Sequence, residues 1–201
     1  MKKLLFAVSV ISCIAAAPAL SAGDAAAGKT KAATCAGCHG ADGNSPAPNF
    51  PKLAGQHASY ILKQLQDFKS GKRKDATMTA MVAPLSDQDM ENLAAYFASQ
   101  KVKPGKTAED KLELGQMVYR AGNASSGVAA CAACHSPTGS GNPQAKFPAL
   151  NGQHAQYVAK QLKDFRSGTR SNDPGSMMRG VAAKMSDAEI EAVAQYVQGL
   201  Q

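Results

Sequence analysis

Gly55-Gln56-His57-Ala58-Ser59-Tyr60 recurs as Gly152-Gln153-His154-Ala155-Gln156-Tyr157, 97 residues further on. Phe50-Pro51-Lys52-Leu53 recurs at the same interval as Phe147-Pro148-Ala149-Leu150, and Lys63-Gln64-Leu65-Gln66-Asp67-Phe68 as Lys160-Gln161-Leu162-Lys163-Asp164-Phe165. Ser86-Asp87 and Tyr96 match Ser186-Asp187 and Tyr196 at an interval of 100. The second copy therefore carries about three extra residues between Gly168 and Ser186, and Asn172-Asp173-Pro174-Gly175 is a natural turn to hold them. Two copies make a duplication rather than a solenoid. The chain divides into a leader (1–22), an N-terminal unit (23–103), a linker (104–110) and a C-terminal unit (111–201). The Lys- and Pro-bearing stretch from Lys101 to Lys106 marks the junction.

Units this small need help to fold. Of 201 residues 44% are hydrophobic, but only 5% are aromatic and none is tryptophan. Much of the apolar content is alanine. Domains under 100 residues with few large side chains need a disulfide, a metal or another apolar body to complete a core.

Both units share one helical layout, and strand-like alternation is essentially absent, so the fold class is all-α. A helix precedes the cysteines (about 24–33 and 111–121), followed by a Gly- and Pro-rich loop. An amphipathic helix then carries Tyr60, Ile61, Leu65 and Phe68 at helical spacing, ending at Gly71. A methionine-bearing loop leads to a last helix that Ser86 or Ser186 should cap; Ser186-Asp187-Ala188-Glu189 has the form of a capping box.

The leader has the anatomy of an export signal. Lys2 and Lys3 precede an apolar run from Leu4 to about Ala17, and Ala19-Leu20-Ser21-Ala22 offers small residues at cleavage spacing. No later stretch is long and apolar enough to span a membrane, which points to an exported, periplasmic product. Val10-Ile11-Ser12-Cys13 also has the look of a lipobox that would anchor the chain at Cys13, but apolar residues continue past it.

The other four cysteines carry the chemistry. Cys35-Ala36-Gly37-Cys38-His39 and Cys131-Ala132-Ala133-Cys134-His135 each have the c-type haem attachment pattern. Two thiols a turn apart can each add to a vinyl group, and the adjacent imidazole then serves as an iron ligand. Zinc would require four ligands around one ion, a thioredoxin-like site would sit in a βαβ unit, and disulfides would leave the repeated histidine unexplained. The expected cofactors are two covalent c-type haems held by Cys35, Cys38, Cys131 and Cys134, with His39 and His135 on the irons.

A sixth ligand should come from the methionine loops. In the Ser86/Ser186 register Met78 falls on Met178, whereas Met81 falls on Val181, Thr77 on Met177, Leu85 on Met185 and Met90 on Ile190. Met78 and Met178 are therefore the expected ligands. Met81 is the alternative if the extra residues lie later, and the remaining methionines read as core fillers. His57 and His154 also repeat. They read as polar residues opening a helix, near a haem or the contact between units, with ligation as the alternative. Tyr60 and Tyr157 read as packing residues whose hydroxyls find a partner.

These motifs, with the paired Phe-Pro-x-Leu-x-Gly-Gln segments and the Met–Ser-Asp–helix ending of each half, resemble the cytochrome c4 family over essentially the whole mature chain. The resemblance implies two class I cytochrome c domains facing each other across a pseudo-two-fold interface. It implies His39/Met78 ligation for one iron and His135/Met178 for the other. It also implies that Pro51 and Pro148 each offer a carbonyl to the proximal imidazole, a contact that orients the ring and raises its basicity. The implied role is diheme electron transfer from a quinol-oxidising complex towards a terminal oxidase of the cbb3 type. No turnover of a small-molecule substrate is implied.

Charge adds little. The chain is +7, or +5 without the leader. Lys72-Arg73-Lys74 is the densest basic patch and a candidate docking site for an acidic redox partner; its alternative is a solvated face. No nucleic-acid motif or aromatic-interleaved basic stripe is present. Loose membrane association is compatible with this charge. Two further classes fit the haem motifs: a diheme peroxidase, which would need an iron that can become five-coordinate, and a diheme electron-transfer subunit of a larger dehydrogenase.

Overall fold

The computed structural model describes residues 23–201. The leader expected at 1–22 and the lipobox cysteine Cys13 lie outside the described residues. The elements are α1 (Ala25–Lys31), α2 (Ala36–His39), α3 (Ala58–Lys69), α4 (Ala76–Val82), α5 (Asp87–Ala98), α6 (Glu109–Ala121), α7 (Ala132–His135), α8 (Ala155–Ser167), α9 (Met177–Ala182) and α10 (Asp187–Gly199). Short 3₁₀ turns at Ala32–Thr34 and Pro174–Ser176 join them. Among the described residues there is no strand, only isolated bridges at Asn123/Val128 and Asn142/Phe147.

Local chemistry sets the helix ends. Asp24 caps α1 by accepting from the Ala26 and Ala27 amides, at 2.7 and 3.3 Å. Ser86 accepts from the Asp89 amide while Asp89 reaches back to the Ser86 amide, closing a box over α5. Ser186 and Glu189 do the same for α10. Each box occupies two amide groups that would otherwise lack a helical partner.

Each half packs its first helix across its last. The crossing is close because a glycine sits at it: a Cβ on Gly28 would lie 2.0 Å from the Asn92 carbonyl oxygen, and one on Gly115 2.3 Å from that of Ala192. The core is correspondingly split in two. One cluster includes Ile61, Phe68, Val82, Met90, Leu93 and Phe97; the other includes Val118, Tyr119, Leu162, Ile190, Val193 and Val197.

The halves differ at their entry. In the first, α1 runs through the 3₁₀ turn directly into Cys35. In the second, α6 begins at Glu109, two residues before the pattern placed it, and stops at Gly122 (φ 72°). A loop pinched by the Asn123/Val128 bridge then precedes Cys131. From the crossing glycine to the first cysteine there are seven residues in one half and sixteen in the other. The matched segments at intervals of 97 and 100 all lie after this nine-residue expansion and carry no trace of it.

Candidate haem sites and the interface between them

Both attachment motifs form a single helical turn, α2 and α7, which places the two cysteines of each motif one turn apart on the same side and buries the histidine that ends it. His39 is 7% exposed and His135 6%. Each Nδ1 lies 2.9 Å from a proline carbonyl, Pro51 for His39 and Pro148 for His135. A carbonyl only accepts, so Nδ1 carries the proton and Nε2 keeps its lone pair. Burial lowers the pKa of both rings, with the proline hydrogen bond opposing it. The neutral imidazole is the metal-binding form. Phe50 and Phe147 lie beside these rings, with centroids 6.2 Å apart in each pair.

None of the four cysteines Cys35, Cys38, Cys131 and Cys134 is paired in a disulfide. Burial pushes Cys131 up to about 11 and raises Cys35 from its ordinary value. Among the described residues no group of three His, Cys, Asp or Glu side chains could hold a metal ion. The donor set of each site is thus two thiols and one oriented imidazole, which fits a covalently held haem.

The methionines separate by environment. Met78 packs partly buried against the first core cluster and Met178 against the second. Met81 is 40% exposed and Met177 45%. Met90 and Met185 are core residues, 1% and 4% exposed. An aspartate holds Met78 directly and, in the other half, the residue after Met178. Asp75 accepts from the Met78 amide at 2.9 Å. Asp173, its side chain 3% exposed, accepts from the Arg179 amide and pairs with the Arg179 guanidinium on α9. The 3₁₀ turn that precedes α9, Pro174–Ser176, overlaps the end of the Asn172–Gly175 stretch expected to hold the extra residues.

The repeated polar residues are spent on the contact between halves. His57 Nε2 donates to the Ser140 carbonyl at 2.7 Å, and His154 Nε2 to that of Ser45 at 2.8 Å. Arg73 reaches the Tyr157 hydroxyl and Gln161; Arg170 reaches the Tyr60 hydroxyl and Gln64. Each guanidinium also stacks on a phenylalanine of its own half, Phe68 at 4.6 Å and Phe165 at 4.5 Å. Arg73 therefore turns inward, and the expected Lys72-Arg73-Lys74 patch reduces to two exposed lysines. Charge runs alone did not distinguish an arginine that finds aromatic and amide partners from one that faces water. Lys52, 8% exposed, spans the junction, donating to the carbonyls of Lys103 and Gly152.

Fold and sites together define a tandem of two small helical domains, each built to hold a covalent haem. The profile of the cytochrome c family matches residues 25–101 and again 113–201. Cytochrome c4 of Pseudomonas aeruginosa is 55% identical over 181 residues, 90% of either chain. The thiosulfate dehydrogenase electron acceptor of Stutzerimonas stutzeri is 42% identical over 82% of this chain and 78% of its own. The crystal structure of reduced recombinant cytochrome c4 from Pseudomonas stutzeri superposes with a TM-score of 0.87 at 54% identity, covering 90% of this chain and 100% of that one. The chain belongs to the cytochrome c4 family, within the cytochromes c. It is a diheme electron-transfer protein with two covalently bound c-type haems, not an enzyme.

Proposed function

We propose that the chain carries single electrons between periplasmic or membrane-bound respiratory partners, towards a terminal cytochrome c oxidase. His39 and Met78 would ligate one iron, His135 and Met178 the other, with Cys35, Cys38, Cys131 and Cys134 as the thioether anchors. The observation that carries this reading is the pair of matched His–Pro hydrogen bonds, which hold both Nε2 lone pairs in one orientation. Each haem supplies a one-electron couple, and thioether with imidazole favours the reduced iron. The chain's own part is to bury the imidazoles, fix their tautomer through Pro51 and Pro148, and hold each methionine loop by an aspartate. Export through the residue 1–22 signal to the periplasm belongs to the same reading, as does loose contact with a membrane surface.

Met78→Ala and Met178→Ala test the ligand set. Each should abolish about half of the weak long-wavelength band of ferric methionine–haem ligation, and Met81→Ala should leave it intact. Loss of that band in Met81→Ala, with Met78→Ala unchanged, contradicts the assignment.

The similarity to a thiosulfate dehydrogenase electron acceptor favours a second reading, in which the donor is a dehydrogenase and the chain serves as its electron-accepting partner. Mixing the oxidised protein with a thiosulfate dehydrogenase and thiosulfate separates the two. Rapid reduction supports the second reading; reduction only by a quinol-oxidising complex supports the first.

A further inference from the structure

The residue after each histidine-bound proline is gripped by the other half. The Lys52 amide donates to Gln153 Oε1 at 2.9 Å, and Gln153 Nε2 donates back to the Lys52 carbonyl at 2.8 Å. Across the pseudo-two-fold, the Ala149 amide donates to Gln56 Oε1 at 2.9 Å, and Gln56 Nε2 donates to the Ala149 carbonyl at 2.8 Å. Both glutamines are 9% exposed. Each side-chain amide thus pairs with a single residue of the facing half as a strand neighbour would.

The consequence lies in the peptide unit they share with the histidines. The Pro51 carbonyl that accepts from His39 and the Lys52 amide that donates to Gln153 belong to one planar, conjugated peptide group. The Pro148 carbonyl and Ala149 amide form the matching group between His135 and Gln56. An acceptor on the N–H of a peptide polarises its carbonyl and strengthens the bond that carbonyl accepts. A stronger acceptor at Nδ1 raises the basicity of the imidazole, and a more basic imidazole favours the oxidised iron.

We propose that Gln153 and Gln56 are crossed positioning residues: Gln153, in the C-terminal half, tunes the His39 site, and Gln56, in the N-terminal half, tunes the His135 site, each through one peptide unit. The glutamines touch neither haem nor iron ligand. They act by holding and polarising the peptide on which the ligand histidine rests. Each is itself held by the backbone it precedes: Gln153 Oε1 also accepts from the His154 amide and Gln56 Oε1 from that of His57, both at 3.0 Å. The tuning is therefore a property of the docked halves, because separating them would strip both peptides of their acceptor. The proposal rests on His39 and His135 being the iron ligands.

The test is a redox titration of the full-length holoprotein followed by paramagnetic NMR, which reads each haem separately. Gln153→Met removes the acceptor at similar length. It should raise the potential of the N-terminal haem by about three- to tenfold in its redox equilibrium constant, roughly 28–59 mV for one electron, and leave the C-terminal haem near its parent value. Gln56→Met should do the reverse. Gln153→Glu keeps an accepting oxygen and should not reproduce the rise. General loosening of the interface would move both haems in either variant, and that result overturns the proposal. So does a shift confined to the half that carries the substitution, or no shift in either variant. Failure of the underlying reading shows separately, as parent spectra without histidine-ligated low-spin iron.

Discussion

The two halves descend from one pattern, yet they secure the haem motif by different means. In the N-terminal half the Tyr96 hydroxyl, from the last helix, donates to the Ala41 carbonyl at 2.7 Å. In the C-terminal half the matching Tyr196 instead accepts from Arg120. The bond to the chain just beyond the motif comes there from the first helix, where the fully buried Tyr119 donates to the Ser136 carbonyl at 2.7 Å. Ala32 stands at the equivalent position of the N-terminal half. The longer α6 and its loop make room for this exchange, and Asn123 ties the loop to Glu189 in the cap of α10 at 2.7 Å. A tether on the carbonyls past the histidine is thus common to both halves, while the residue that supplies it is free to change.

The largest expected effect comes from removing the anchors. Replacing both cysteines of one motif by alanine should abolish cooperative unfolding of that half, seen by circular dichroism and calorimetry. The C-terminal half, with its longer first helix and buried Tyr119, should keep more helix without its haem than the N-terminal half. Equal residual helix would break the comparison. Next come Gly28→Ala and Gly115→Ala, which push a methyl against backbone at the same crossing. Each should cost about 1–3 kcal/mol by chemical denaturation, as overpacking does, and a large difference between them would show that the crossings are not equivalent.

Removing the tethering hydroxyls sharpens the contrast. Tyr96→Phe and Tyr119→Phe should each cost about 0.5–1.5 kcal/mol, the range of one hydrogen bond, and Tyr196→Phe less than either. The caps follow, where Ser86→Ala and Ser186→Ala should each lose about 0.5–1 kcal/mol, the lower part of the range for such caps. Acid should act on both. Asp89, held at about 2 by the Ser86 amide, Lys31 and the Ser86 hydroxyl, and Glu189, lowered by Asn123 and the Ser186 amide, have depressed folded pKa values. Their contribution is complete above the unfolded value near 4 and fades as pH falls through the folded one. Thermal melts from pH 7 to 2 should show this loss beginning below about pH 4.5.

Part of the site's framework was legible because local chemistry fixes it. The single helical turn of each cysteine motif and the Ser-Asp caps follow from contacts within a few turns of chain. The pairing of Met78 with Met178 follows instead from the repeat register, and both are partly buried where Met81 is exposed. The interface was harder to see. His57, His154, Arg73 and Arg170 satisfy partners about 80–110 residues away, and a two-fold contact imprints no periodicity on either strand of the repeat. A usable signal existed: Gln56-His57 and Gln153-His154 are repeated polar pairs, their histidines read already as a candidate contact between units, and their side-chain nitrogens find partners in the other half. The exchange of Tyr96 for Tyr119 left no such mark, since a nine-residue expansion hides the alignment of Ala32 with Tyr119.

The central claim, two covalent haems each held by one histidine and one methionine, is tested most directly by a redox titration of the mature protein with optical and magnetic spectra. The expected result is two covalent haems per chain, both low-spin with methionine ligation in the oxidised state. One haem per chain, an extractable haem, or a high-spin iron in either half would contradict it.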